Sequence, residues 1–220
     1  EHFSGQTVLS FRPGHLSNPF GLPQALLATG YRYSSTATAN NSLTHLPYQL
    51  NYDRSTGSEV EIFEFPVTIE DEELPKMGDR LPQALEVARQ VSRYGGLCVV
   101  LIHPNILDHK LAFEKGFVEG VRPYAWFGSV SQFGQWWGAR NSVQVDVEKV
   151  GPAYVVKLEI PQPLPGLTLE VPEGWTLDRG RSYPVPIDQA GRFVVLQGSV
   201  RVMVLRFMPS QTGAPRERGA

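Results

Sequence analysis

Cysteine is all but missing from this chain: Cys98 is the only one in 220 residues. No internal disulfide can form, and the residue sits among Leu97, Val99 and Val100, where it reads as part of a core. An excess of positive charge is missing as well. Lys+Arg number 20 against 22 Asp+Glu, a formal net charge of −2, and no basic stripe gathers in any segment. That argues against a nucleic-acid partner. No apolar run approaches the roughly 18–20 residues of a membrane span, so none is expected. Internal repeats and low-complexity tracts are absent too. The sequence opens Glu1-His2-Phe3 with neither an initiator methionine nor a signal-peptide pattern, so no cellular address can be read from it.

What is present suffices for a packed core. Hydrophobic residues make up 41% of the chain. Its length suggests one large or two small domains at roughly 100–200 residues each. Up to Arg140 the pattern alternates between strand and helix. Thr7–Arg12, Tyr31–Thr36, Glu59–Val67 and Leu97–Ile102 read as strands, with Tyr124–Phe127 a short further candidate. Leu22–Thr29 and Leu81–Tyr94 read as helices stopped by Gly30 and by Gly95-Gly96, and a third runs from a cap at Asp108 to about Glu119. Ser129 and Gln132 form an S-x-x-Q capping pattern ahead of Phe133, Trp136 and Trp137. Ala37–Gly57, rich in Asn, Ser and Thr, reads as a surface loop. Strand–helix–strand alternation of this kind predicts α/β architecture with a mostly parallel sheet.

After Arg140 helical periodicity stops. Ser142–Val150, Tyr154–Ile160, Leu167–Val171, Arg192–Gln197 and Val200–Met208 are strand-like and separated by Pro/Gly turns, which predicts a small all-β sandwich. The expected division is therefore residues 1–141, an α/β domain; 142–210, a β-sandwich module; and 211–220, a disordered tail. Trp136, Trp137 and Trp175 are expected to pack the modules together, with stacking on a sugar ring as the other reading.

Two segments point to chemistry. LCVVLIHP at Leu97–Pro104 is a strand apolar on both faces that delivers His103 at its carboxyl end. Active sites collect at that rim of α/β sheets and barrels. By itself the histidine fits equally well as a rim residue bonded to a neighbouring loop. SFRPGHLSN at Ser10–Asn18 ends a strand with Arg12, which can grip a carboxylate with two parallel hydrogen bonds, and adds His15 nearby. By itself that segment reads as an ordinary turn with an exposed arginine.

Taken in order, the F-R-P segment, the GYRYSS strand, the EFPV strand and LIHP resemble the carboxyl-terminal half of the polysaccharide deacetylase family, the NodB-homology or carbohydrate esterase 4 enzymes. The resemblance covers roughly residues 7–140. It implies a partial distorted β/α barrel followed by the β-sandwich, and removal of acetyl groups from amino-sugar polymers. Arg12 matches the arginine that orients the catalytic base, with Pro13 beside it. Leu101 and His103 match the Leu-x-His motif, the leucine lining the acetyl pocket and the histidine acting as general acid. Asp71 matches the acidic partner of that histidine, although Glu70, Glu72 and Glu73 crowd the same place and read as a solvated acidic turn. Pro13, His15 and Leu101 fall on the substrate side, with Gly14-His15 standing where the family usually has an aromatic residue.

The resemblance further implies a divalent metal, zinc, in a complete enzyme, and an acetylated polysaccharide or oligosaccharide as partner. It also implies a secreted, periplasmic or cell-surface location. The family's metal ligands come from an aspartate-pair strand and an H-x-x-x-H motif. Neither occurs here, and His2, His15, His45, His103 and His109 include no pair at that spacing. On this reading the chain is the second half of a hydrolase whose first half would be its partner, and no metal ligand is assigned within it. A non-catalytic carbohydrate-binding or scaffold protein is the alternative.

Overall fold

The computed structural model describes residues 5, 7–51, 59–105, 107–182, 187–196 and 200–210. The chain divides into two compact units, Glu1–Gly134 and Gln135–Ala220. The expected tail at 211–220 lies outside the described residues.

The first unit mixes helices and parallel strands, as the alternation predicts. Strands β1 (Ser10–Phe11), β2 (Tyr33–Ser34), β3 (Tyr48–Asn51) and β4 (Glu59–Glu64) form one sheet in the order β1-β2-β4-β3. β1, β2 and β4 are parallel, and only β3 runs antiparallel, against β4. A second, two-stranded sheet pairs β5 (Val67–Glu70) with β6 (Val99–Leu101) in parallel. A single parallel bridge from Thr38 to Val67 links the two sheets. Among the described residues the strands do not close a barrel. The strand expected over Glu59–Val67 is broken at Phe65-Pro66. Proline has no N–H for the ladder, so β4 ends at Glu64 and the chain re-enters a different sheet at Val67.

Helix α1 (Leu22–Ala28) follows β1, and α3 (Leu81–Ser92) and α4 (Asp108–Val121) flank β6 in sequence. Each of α1 and α3 accepts a proline in its first turn, where the missing N–H has no helical partner to lose. α3 stops where Gly95 takes φ +69 and the Gly96 N–H turns back to the Val91 carbonyl. The buried faces of α3 and α4 meet through Ala84, Ala88, Phe113, Phe117 and Val121, over Ile69 from β5. Cys98 packs beside this cluster, and burial pushes its thiol up to about 11, which keeps it a thiol at neutral pH.

Three local expectations change. Asp108 is the first residue of α4 and not its cap; the cap position is Leu107, without a side-chain bond, and Asp108 instead meets the positive end of the helix dipole. Tyr124–Phe127 forms no strand and joins none of the described sheets. The polar stretch after Ala37 is not all loop: it holds α2 (Ala39–Ser42), capped by the Thr38 hydroxyl, and β3. The Ser129–Gln132 capping box forms as its sequence predicts. The Gln132 N–H donates to Ser129 Oγ at 3.2 Å, and the Ser129 N–H donates to Gln132 Oε1 at 2.9 Å, starting α5 (Val130–Asn141).

The second unit is antiparallel throughout. β10 (Trp175–Leu177), β13 (Val202–Pro209), β8 (Ala153–Glu159) and β7 (Gln144–Val150) form one sheet in that order; β11 (Ile187–Ala190), β12 (Phe193–Leu196) and β9 (Thr168–Glu170) form the other. Leu158, Met203 and Leu205 from the first sheet share a buried cluster with Val194 and Leu196 from the second. Trp136 and Trp175 pack against this same cluster; the Trp136 indole N–H reaches the Pro165 carbonyl, and Trp175 meets the Tyr154 ring edge-on at 4.7 Å. Trp137 stacks under the Arg140 guanidinium. Among the described residues no helix is long and apolar enough to cross a membrane.

Candidate active site

The parallel pairing of β5 with β6 brings Asp71 and His103 together. Glu70 stands opposite Leu101 in the register, so the next residue of one strand and the second residue past the other leave the same end. There the ladder is extended by a side chain. The His103 N–H donates to Asp71 Oδ2 at 2.8 Å, and the ring Nδ1 lies 2.8 Å from Asp71 Oδ1. Both carboxylate oxygens therefore grip one residue, by its backbone and by its ring. The Asp71 side chain is 0% exposed, whereas the His103 side chain is 47% exposed.

Lys110, in the first turn of α4, closes the group from the other side. Its Nζ lies 2.5 Å from Asp71 Oδ2, 3.0 Å from the His103 carbonyl and 3.1 Å from Asn105 Oδ1. An ammonium has three N–H donors, and here each has an acceptor. Burial on its own raises the Asp71 carboxyl. The bonds from Lys110, the His103 amide and the His103 ring outweigh it and hold the group well below the usual carboxylate range. Asp71 is thus an anion at neutral pH and can only accept, so the proton of the neutral imidazole belongs on Nδ1. Nε2 is left as the free acceptor and takes no hydrogen bond from any described residue. Glu72 Oε1 lies 3.8 Å from Nδ1 but is largely exposed, as is Glu73, which pairs with Arg80. Within the acidic run, burial singles out Asp71.

Arg12 belongs to a different group. Its Nε–H donates to the Ser35 carbonyl at 3.2 Å and an Nη2–H donates to Ser35 Oγ at 2.7 Å; that hydroxyl donates in turn to the Phe65 carbonyl at 2.8 Å. The chain of bonds ties together the carboxyl ends of β1, β2 and β4. Beside it lies Glu64, wholly buried. It accepts from the Thr36 N–H at 2.6 Å, the Ala37 N–H at 2.9 Å and the Thr36 hydroxyl at 3.0 Å. Burial lowers the Arg12 guanidinium, with Glu64 pulling it partly back. No hydrogen bond or ion pair of the described residues joins this group to His103.

The other expected site residues stand apart. Pro13 is extended at φ −75, and His15 takes a left-handed φ of 54 on an exposed turn without a bonded partner among the described residues. Leu101 packs its half-buried side chain against the cluster of Tyr33, Phe65, Val67 and Val99. Lys110 and Glu64 escape a reading of the sequence, though each left a trace. Glu64 shares its parity along β4 with Val60 and Ile62, both buried, so strand alternation turns it inward. Lys110 stands seven residues after His103, in the first turn of the next helix.

No group of three or more His, Cys, Asp or Glu that could hold a metal ion occurs among the described residues. Asp71, the one carboxylate at His103 that is buried, has both oxygens engaged by His103 and Lys110. The described residues do not fit the zinc that the resemblance implies. Comparison with protein-family models, with curated proteins and with solved structures finds no match to this chain.

Proposed function

We propose that the first unit is part of a NodB-type distorted β/α barrel whose His103–Asp71 pair transfers a proton during hydrolysis of acetyl groups on an amino-sugar polymer. The second unit is, on this reading, an appended β-sandwich. One observation carries the proposal: a half-exposed imidazole at the carboxyl end of a parallel strand pair, gripped at Nδ1 by a buried, ionised carboxylate. That arrangement suits general acid–base work, because Asp71 fixes the tautomer and stabilises the ring when Nε2 takes up a proton. The protonated Nε2 would then give its proton to the departing amine or alcohol of the sugar. Arg12 supports the reading less directly, since its guanidinium already serves Ser35. The reaction's metal finds no ligand set among the described residues.

The test is acetate release from acetylated chito-oligosaccharides by the natural full-length protein, with and without added zinc, beside a His103→Ala variant. A loss of about 10²–10⁴-fold is expected, the usual share of a positioned acid–base group. Equal rates in the two proteins would overturn the assignment. Oligosaccharide binding with no acetate released by either protein would replace it with the carbohydrate-binding reading.

A further inference from the structure

We propose that Lys110 is a positioning residue that keeps His103 in the Nδ1–H tautomer with Nε2 free. The role of His103 rests on the proton-transfer reading above; the placement of Lys110 does not. A buried carboxylate and an imidazole can share a hydrogen bond in two ways. Either an ionised carboxylate accepts from Nδ1–H, or a protonated carboxyl donates to a bare Nδ1 and leaves the proton of the neutral ring on Nε2. Taking Asp71 out of water favours the second arrangement, since desolvation penalises the charged form. The His103 N–H on Asp71 Oδ2 offsets part of that cost, and Lys110 supplies the one positive charge that tips the balance. Its ammonium sits on Asp71 Oδ2, the oxygen not facing the ring, so it stabilises the anion without competing for Nδ1.

Two further bonds fix the ring's place. Lys110 Nζ also holds the His103 carbonyl and Asn105 Oδ1, so one side chain pins the turn that carries the imidazole to the start of α4. The Lys110 side chain is 9% exposed, and both its burial and its three acceptors distinguish it from a solvated helix lysine. The charged groups facing His103 are Asp71 and the exposed Glu72 beyond the end of β5, with Lys110 acting from α4. Only Lys110 among them is cationic.

The experiment is ¹⁵N NMR of the imidazole nitrogens of His103 in the natural protein and in Lys110→Met, Lys110→Gln and Lys110→Arg, at a pH where the ring is neutral. The unmutated protein is expected to show a single state, with Nδ1 protonated and Nε2 bare. In Lys110→Met and Lys110→Gln the two nitrogens should move toward each other as the Nε2–H form becomes populated, and Lys110→Arg should restore the original pair of shifts. An Nε2–H tautomer in the unmutated protein overturns the proposal at once, without need of any variant. So does an unchanged pair of shifts in Lys110→Gln or Lys110→Met, even if that variant melts at a lower temperature, because a merely structural lysine would behave that way. The readout needs no substrate. Altered tautomers in a protein that never releases acetate would therefore leave Lys110 in its role and remove the deacetylase reading alone.

Discussion

The two units bury different things. In the first, Ser34, Ser35, Thr36, Glu64, Asp71 and Lys110 are buried, two carboxylates and an ammonium among them. In the second, the buried cluster is aliphatic and aromatic from Leu158 to Phe207, with Met203 filling between. Removing a charge from water costs several kcal/mol unless it is paired and fully hydrogen-bonded, and replacing such a pair with apolar residues is often stabilising. The difference sets the two interiors apart: hydrogen-bonded charges lie inside the first unit and apolar packing fills the second.

The sharpest way to break that contrast is Asp71→Asn. The amide can donate where the carboxylate only accepts, so the ring would be held as the wrong tautomer, a change that costs about 10⁴-fold in the triad template. Acetate release is the measurement, and a loss below tenfold would mean that the pair is structural. The same variant carries a pH signature. The folded Asp71 carboxyl titrates below its unfolded value of about 3.9, so its ionised form stabilises the fold above that pH and the gain is lost as pH falls through the folded value. Asp71→Asn should therefore destabilise the protein at neutral pH, and the gap from the natural chain should close in acid.

Leu205→Ala is the counterpart in the second unit. Leu205 is fully buried, and its truncation is expected to cost about 2–5 kcal/mol by denaturant unfolding. That loss should be the same at neutral and acid pH, since no charge is involved. A pH-dependent loss would blur the distinction between the units. The smallest effect belongs to the surface. Arg32 and Glu61 pair at 3.1 Å with side chains 53% and 80% exposed, and Arg32→Gln should change stability by less than about 1 kcal/mol.

The contrast also governs what could be read from the sequence. Apolar periodicity is a burial signal, so the elements that bury apolar side chains stood out: α3 through Ala84, Ala88 and Val91, β8 through Leu158, and β6 through Val99. His103 was legible because it ends such a strand; Asp71 came only from the resemblance, in an acidic run that by itself reads as a solvated turn. Lys110 and Glu64 were not legible, because a charged residue is read as exposed until its partners are known, and those partners lie 39 and 28 positions away in the chain, at Asp71 and Thr36. Short elements hid for another reason. β10 and β11 are too brief to show a period, and β3 lies in a polar stretch where its pairing with β4 decides the conformation. Pro66 was visible, but that it would separate two sheets depended on Val67 finding Val99.

The His103 amide hydrogen is bonded to a carboxylate that α4 itself clamps through Lys110. It has no strand partner to shelter it, so it can exchange with solvent only when the strand ends and the start of α4 part together. That one amide is consequently a clock for the opening of the site. Its exchange rate should follow the lifting of a helix turn, whereas the ladder amides of β8, held between β7 and β13, should wait for the unit around them to unfold.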